Sequence, residues 1–185
     1  MRAAEFAAGR ECARRALGEF GVSGFSLLPA ANRMPLWPAH LVGSITHTLG
    51  FCAAAVAEKR DFRGIGLDAE SVAEVGVNLW PNICTPNEIQ QLEALPQAEA
   101  QRQAALIYSA KEAFYKCQYT VTQQWLDFHD VEISIDSSAS KSQFTAHRRP
   151  KSDSNMRDEL LLTGQFCFEE NLVITFVAWP QVDPS

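Results

Sequence analysis

The stretch Ser109-Ala110-Lys111-Glu112-Ala113-Phe114-Tyr115-Lys116 lies in a run of good helix formers, from about residue 98 to residue 117, that contains no glycine or proline. An α-helix turns once every ~3.6 residues, so Glu112 and Lys116 would share one face and Lys111 and Tyr115 the next. A pair of this kind is often only an exposed ion pair, which stabilises a helix by ~0.3–0.5 kcal/mol. The stretch therefore predicts a long helix and leaves the role of its charges open.

A second stretch, Gly64-Ile65-Gly66-Leu67-Asp68-Ala69-Glu70, predicts a short strand. Side chains alternate along a strand, so Asp68 and Glu70 would point to the same side. Two neighbouring carboxylates repel each other unless a proton or a cation lies between them. Glu112 would complete an oxygen-only pocket of the kind that Mg2+ prefers, and this ion commonly binds substrate phosphates. The three carboxylates are therefore candidate metal ligands.

The other patterns predict two more helices, several strands and one long loop. Apolar residues at near-helical spacing predict a helix from Arg2 to Phe20, and the capping box Thr85-Pro86-Asn87-Glu88 predicts the start of another. Alternating or continuous apolar residues predict strands at residues 42–48, 131–135, 160–168 and 172–179. Residues 51–57 fit either a strand or a short helix. The polar segment from Ser137 to Asp158 predicts a solvated hairpin loop.

Composition excludes several classes of protein. The chain has 185 residues, of which 46% are hydrophobic and 21% charged, as in an ordinary globular protein. No apolar run approaches the ~18–20 residues of a membrane span, and no signal peptide opens the chain, so we expect a soluble, cytoplasmic protein. We also expect a monomer. Five scattered cysteines without a Cys-x-x-Cys pair argue against disulfides and zinc. A net charge of −6 disfavours nucleic acid as a partner.

Together, the two charged stretches resemble the paired signature of the 4'-phosphopantetheinyl transferases. Upstream, Trp37-Pro38 followed by Gly43-Ser44-Ile45-Thr46-His47-Thr48 is similar to that family's third motif. Three motifs in this order are far more specific than any one of them. They resemble most the bacterial subgroup that is like enterobactin synthetase component D, with its mycobacterial relatives. The resemblance to this subgroup favours a role in secondary metabolism, including the synthesis of siderophores.

The resemblance implies an α+β fold of two similar halves related by pseudo-two-fold symmetry. Each half would be a small antiparallel sheet packed on a helix, with the active site between the halves. The polar junction at residues 58–63 predicts an N-terminal half over residues 1–60, for the nucleotide end of coenzyme A, and a C-terminal half over residues 61–185, for the metal and the pantetheine arm. Related proteins usually have more residues before the helix at Arg2, so we expect a trimmed first half or a fragment.

The resemblance also implies a reaction. In it, the 4'-phosphopantetheine group of coenzyme A moves to a serine of an apo acyl or peptidyl carrier protein, an acidic helical domain, and adenosine 3',5'-bisphosphate is released. The matching positions imply that Asp68, Glu70 and Glu112 hold Mg2+, or Mn2+ in its place. Glu112 would also accept the serine proton and Lys116 would stabilise a phosphate. Lys111 would act with them, on a phosphate or on the carrier protein.

Further positions are expected to bind the coenzyme. Guanidinium groups suit phosphates, and a histidine can donate a hydrogen bond to one, although a lone histidine is more often structural. The residues expected at the coenzyme are Arg2, Arg10, Arg33, Thr46, His47, Asp68, Lys111 and Lys116. Those expected to line the pantetheine slot, unless they form a hydrophobic corner of the core, are Tyr108, Tyr115, Trp125 and Phe128. Trp37 would either wall the adenine pocket or pack in the core.

Two other classes of function stay open. A coenzyme A-dependent acyltransferase would bind the same coenzyme, but it would not need three carboxylates, and its glycine-rich pyrophosphate loop is not visible. A non-catalytic module that binds coenzyme A or a carrier protein is the second alternative.

Overall fold

The computed structural model describes residues 2–48, 50–135, 142–149 and 159–182, with side chains from Phe6 onward. It has helices and antiparallel sheets, which confirms the expected α+β class. The helices are α1 (Arg2–Gly18), α2 (Trp80–Ile83), α3 (Pro86–Glu93) and α4 (Gln97–Thr122). The strands are β1 (Leu41–Thr48), β2 (Phe51–Glu58), β3 (Phe62–Ser71), β4 (Val131–Ile135), β5 (Gln143–Arg148), β6 (Leu160–Glu169) and β7 (Leu172–Pro180). Short 3-10 turns cover Val72–Glu74, Val77–Leu79 and Phe128–Asp130.

Helix α4 packs across a five-stranded antiparallel sheet of order β3-β7-β6-β5-β4. The approach of α4 to β3 is unusually close at two glycines. A Cβ atom on Gly66 would lie 1.8 Å from the carbonyl oxygen of Ala113, and one on Gly64 would lie 2.6 Å from that of Cys117. Only a residue without a side chain fits there. The glycines therefore bring the helix that carries Glu112 and Lys116 onto the strand that carries Asp68.

The front of the molecule is smaller. Strands β1 and β2 form an antiparallel hairpin, from Leu41 opposite Glu58 to Thr48 opposite Phe51, and α1 packs against it. Strand β1 lies beside β3, but side-chain hydroxyls rather than a main-chain ladder join them in the described part of the chain. Ser44 Oγ accepts a hydrogen bond from Leu67 N at 2.9 Å, and Thr46 Oγ1 accepts one from Ala69 N at 3.0 Å. Strand β3 is therefore the seam between front and back.

Each predicted half thus has an antiparallel sheet against a helix, but the sheets are unequal, with two and five strands among the described residues. The pseudo-two-fold relation between the halves, and the boundary at residues 60 and 61, stay predictions. No helix in the described ranges is long and apolar enough to cross a membrane.

The predicted loop from Ser137 to Asp158 is wrong in its middle. Strand β5 occupies Gln143–Arg148, because Phe144, Ala146 and Arg148 alternate into the core while the residues between them face outward. The polar composition of this segment hides that alternation. The rest of the predicted loop, residues 137–141 and 150–158, lies outside the described residues. The segment 51–57 is a strand, and the capping box of Thr85 and Glu88 is present as predicted.

Candidate active site

The centre of the site is a partly buried ion pair between β3 and α4. Lys116 Nζ donates to Asp68 Oδ1 at 2.7 Å and to the carbonyl of Leu67 at 3.1 Å. Thr46 donates its hydroxyl hydrogen to the same Asp68 Oδ1 at 3.2 Å. Asp68 is only 3% exposed, and its other oxygen, Oδ2, is buried without a hydrogen-bond partner among the described residues. A buried carboxylate oxygen without a partner is costly, so a ligand is expected there.

Glu70 and Glu112 are electrostatic neighbours of Asp68. Burial, followed by the charge of Asp68, raises the pKa of Glu70 to about 8, although Lys116 opposes the shift. The same causes raise the pKa of Glu112. The carboxylates also act on Tyr108, whose pKa burial and then Glu112 raise to about 12. Two glutamates whose ionisation is opposed by burial and by the charge of Asp68 lie in a site that would gain from a bound cation.

We asked whether these residues suit Mg2+. The unpartnered oxygen of Asp68 and the two half-buried glutamates are hard oxygen donors, which is the ligand type that Mg2+ takes. In the described ranges, no group of three or more His, Cys, Asp or Glu side chains is arranged so that it could hold a metal ion. The chemistry of the donors fits the ion, while the metal set Asp68, Glu70 and Glu112 stays a prediction.

Lys111 lies elsewhere, and the structure does not bring it to the ion pair of Asp68 and Lys116. Its Nζ donates to Glu88 Oε2 at 2.7 Å and to the carbonyls of Ile83 and Phe128 at 2.9 and 3.0 Å. Both charged side chains of the Lys111–Glu88 pair are 1% exposed. An ammonium group has three N–H donors, and all three are used inside the protein. Lys111 is therefore a structural residue of the back half.

A cavity of about 270 Å³ lies between the front and the back of the molecule. Helix α1 contributes Arg10, β1 contributes His47, and α4 contributes Tyr115 and Lys116. Burial lowers the pKa of Arg10, one of its Nη nitrogens is buried without a partner in the described structure, and its guanidinium lies 4.7 Å from the centre of the Phe6 ring. Trp37 is half-buried, lines the cavity and lies close to Gly43, and its predicted role as a wall of the adenine pocket stays a prediction. This coenzyme cleft, as we call it, is lined by three basic side chains.

The other residues predicted at the coenzyme lie differently. Arg33 is exposed in a turn with a left-handed φ of 68°, outside the lining of the cleft. Thr46 is buried, and its hydroxyl is hydrogen-bonded to the main-chain N–H of Ala69 in β3 and to the Asp68 carboxylate. Arg2 lies in the first turn of α1, and its side chain is outside the described part of the structure. The coenzyme contacts of these residues stay predictions.

A second cavity of about 330 Å³, the aromatic slot, adjoins the cleft through Tyr115. Its walls include Glu112, Trp125 and Phe128. Trp125 is 78% exposed at the edge, and its ring meets that of Tyr115 edge-on at 5.5 Å. Tyr108 contacts Phe128 at 5.5 Å between ring centres and lines the neighbouring hollow with Glu70. Tyr108, Tyr115 and Phe128 also pack against the hydrophobic core, so both predicted roles of these aromatics, in a pantetheine slot or at a corner of the core, stay predictions.

Sequence reasoning missed two residues of this region. Tyr119 stacks on Tyr115 at 5.3 Å and lines the coenzyme cleft. Its spacing of four from Tyr115 on the predicted helix was the available signal. Glu88 was seen only as a helix cap, and nothing local indicates its second role as the partner of Lys111.

These features match those of one family of transferases. The region 64–177 matches the family model described as the 4'-phosphopantetheinyl transferase superfamily, and residues 1–57 match that of the 4'-phosphopantetheinyl transferase N-terminal domain. The chain belongs to the 4'-phosphopantetheinyl transferase superfamily.

Its relatives lie in the expected subgroup. The chain is 35% identical to 4'-phosphopantetheinyl transferase Npt of Nocardia iowensis, over 87% of this chain and 68% of the relative. It is 32% identical to 4'-phosphopantetheinyl transferase PptT of Mycobacterium tuberculosis, over 94% and 77% respectively. It is 35% identical to enterobactin synthase component D of Escherichia coli O157:H7, over 80% and 67%. A solved holo-(acyl-carrier-protein) synthase of Bacillus anthracis covers 66% of this chain and 99% of its own, at a TM-score of 0.47 and 17% identity, a likeness too distant to support an argument.

Proposed function

We propose that this protein transfers the 4'-phosphopantetheine group of coenzyme A to a serine of an apo carrier protein and releases adenosine 3',5'-bisphosphate. The observation that carries the proposal is the unpartnered, buried oxygen of Asp68, which lies beside two electrostatically coupled glutamates and the cleft-lining Lys116. Relatives named as phosphopantetheinyl transferases support the reaction class. The likeness to an enterobactin synthase component favours a carrier of siderophore or other secondary metabolism.

Charge on the pyrophosphate is the first problem of this reaction. Lys116 is held between the Asp68 carboxylate and the Leu67 carbonyl, so its ammonium faces the cleft in a fixed place. It would stabilise the leaving or the transferred phosphate. Asp68, Glu70 and Glu112 would hold Mg2+, which when bound neutralises and orients phosphate oxygens.

Activation of the serine hydroxyl is the second problem. Glu112 lines the aromatic slot and is half-buried, so its carboxylate is placed where it could accept a proton. It would take the proton from the serine of the carrier as the serine oxygen attacks phosphorus. The proton then resides on the Glu112 carboxylate, and the phosphate–oxygen bond to the nucleotide breaks.

The two cavities suit the two ends of the coenzyme. Arg10 and His47 in the cleft would bind its phosphates, because both are donors on the cleft wall. The pantetheine arm would extend along Tyr115 into the aromatic slot. In this arrangement the scissile phosphate would lie near Lys116 and Glu112, which are one helical turn apart.

The deciding experiment incubates the protein with an apo carrier protein, coenzyme A and MgCl2, and measures the intact mass of the carrier. We expect the carrier to gain one phosphopantetheine group, and a carrier whose modified serine is replaced by alanine to gain none. Binding of coenzyme A without any mass change would instead support a non-catalytic module. Transfer of only the acetyl group from acetyl-coenzyme A would support an acyltransferase.

A further inference from the structure

The hydroxyl of Thr46 makes two contacts from one buried position. It accepts a hydrogen bond from the main-chain N–H of Ala69 at 3.0 Å and donates one to Asp68 Oδ1 at 3.2 Å. Thr46 is 3% exposed, so water does not compete strongly for this hydroxyl. The next residue along β1 is His47, which lines the coenzyme cleft. One strand thus contacts both the cleft and the carboxylate of the neighbouring strand.

Asp68 is held at the same oxygen from two sides. Thr46 reaches Oδ1 from β1, and Lys116 reaches it from α4 at 2.7 Å. Two donors on one oxygen fix the plane of the carboxylate, and they leave Oδ2 without a hydrogen-bond partner within the described part of the chain. A buried oxygen with free lone pairs can bind a cation. Because both oxygens belong to one rigid carboxylate, the two hydrogen bonds to Oδ1 also fix the position of Oδ2.

Ser44 provides an internal comparison. It lies two residues before Thr46 on the same face of β1, and its hydroxyl likewise accepts a hydrogen bond from a main-chain N–H of β3, that of Leu67, at 2.9 Å. Its other contact is the carbonyl of Leu67 at 3.4 Å. Both hydroxyls therefore join β1 to β3, but Thr46 alone of the two contacts the Asp68 carboxylate.

We infer that Thr46 is a positioning residue, which acts from the front half to hold Asp68 so that its Oδ2 is presented to a divalent cation. The inference rests on the proposed function, because it assigns the cation of that reaction to this oxygen. It departs from the role predicted for Thr46 from its motif, which was direct contact with the coenzyme. Outer contacts that orient a metal ligand commonly change metal affinity by about 10–100-fold.

The test compares Thr46→Val, Thr46→Ser and Ser44→Ala. Thr46→Val keeps the shape but removes the hydroxyl, Thr46→Ser keeps the hydroxyl, and Ser44→Ala removes a hydroxyl that does not touch Asp68. For each purified protein, the unfolding temperature is measured in EDTA and then against increasing MgCl2 without coenzyme A, since Ser44 also lines the coenzyme cleft. A ligand that binds only the folded state raises that temperature, so the titration reports Mg2+ affinity without any turnover.

We expect wild type, Thr46→Ser and Ser44→Ala to respond at similar MgCl2 concentrations, and Thr46→Val to need about 10–100-fold more. In EDTA, Thr46→Val and Ser44→Ala should both unfold below wild type, since each leaves an N–H of β3 unpaired. The inference is overturned if Thr46→Val responds like wild type, if Ser44→Ala is as impaired as Thr46→Val, or if wild type shows no response to MgCl2. The carrier assay on wild type is independent: transfer with a failed titration overturns only the inference, and no transfer overturns the proposed function.

Discussion

At the residue scale, Glu112 combines three properties: it is half-buried, it lines the aromatic slot, and its pKa is raised by burial and by Asp68. Glu112→Gln keeps the size of the side chain but cannot accept a proton. We expect kcat for carrier modification to fall by about 10²–10⁴-fold, the usual contribution of a general base, with little change in the fold. Steady-state kinetics and circular dichroism check this.

Glu99→Gln is the matched control for this change. Glu99 is exposed in the first turn of the same helix, far along the chain from the slot. Its kcat should equal that of wild type. Wild-type turnover in Glu112→Gln would remove Glu112 from the mechanism.

Glu70 gives the site a pH dependence in the absence of metal. Its pKa is raised from an ordinary 4.5 to about 8, so between these values the folded protein holds a proton that the unfolded chain has lost. The free energy of unfolding should therefore fall as pH rises from about 4.5 to 8. Glu70→Gln should flatten this slope and make the protein more stable than wild type above pH 8. Unfolding in EDTA across this range checks the sign, and an unchanged slope in Glu70→Gln would contradict it.

At the scale of elements, the contact of β3 with α4 sets the distance between Asp68 and the helix. Gly66→Ala would place a Cβ atom 1.8 Å from the Ala113 carbonyl, so α4 must shift away from the strand. We expect a loss of about 1–3 kcal/mol in the free energy of unfolding, as for other overpacked sites, together with a fall in kcat. Gly18→Ala is the control, because nothing lies within 4 Å of its Cβ position. Denaturant unfolding measures the stability of both variants, and equal stability of Gly66→Ala and Gly18→Ala would contradict the prediction.

The buried Lys111–Glu88 pair joins several elements of the back half. Glu88 Oε2 accepts from Lys111 and from Thr85 N, while Oε1 accepts from Ile133 N at 2.8 Å. Lys111→Met would leave the buried Glu88 carboxylate without its positively charged partner, which typically costs about 3–5 kcal/mol in the free energy of unfolding. We expect a large loss in the free energy of unfolding, with KM for coenzyme A near wild type in whatever remains folded at low temperature. If Lys111→Met instead raised KM for coenzyme A without any loss of stability, that result would support a contact of Lys111 with a phosphate of the coenzyme.

At the scale of the whole molecule, the parts that could be predicted are those set by local periodicity. The strand of Asp68 and Glu70, the helix of Glu112 and Lys116, and the capping box at Thr85 all follow from neighbours in sequence. The burial of Lys111 could not be predicted, because its partner is 23 residues away and a lysine in a helix looks alike whether buried or exposed. The hydrogen bond from Thr46 to Asp68 likewise exists only because β1 lies beside β3, and no local sequence pattern indicates that the two strands are neighbours.

The coenzyme cleft is a property of the whole molecule, since α1 and β1 supply one wall and α4 the other. The front also contacts the end of α4 through a hydrogen bond from Asn32 Nδ2 to Gln123 Oε1 at 3.0 Å. Arg10 reaches the cleft from α1 with one Nη nitrogen buried and unpartnered in the described structure, so it has a donor to give to an anion. Coenzyme A should therefore contact both walls of the cleft and raise the temperature at which the molecule unfolds.

Arg10→Ala tests this arrangement. A hydrogen bond to a charged group contributes about 1.5–3 kcal/mol, so we expect KM for coenzyme A to rise by about tenfold or more while kcat changes little. Arg14→Ala is the control one turn further along α1, where the arginine is exposed and pairs with Glu11 at 2.7 Å. If both variants raise KM equally, the effect is one of general charge on α1 and not of a cleft contact. If neither does, the phosphates of the coenzyme lie away from α1, and the front half contributes to binding only through β1.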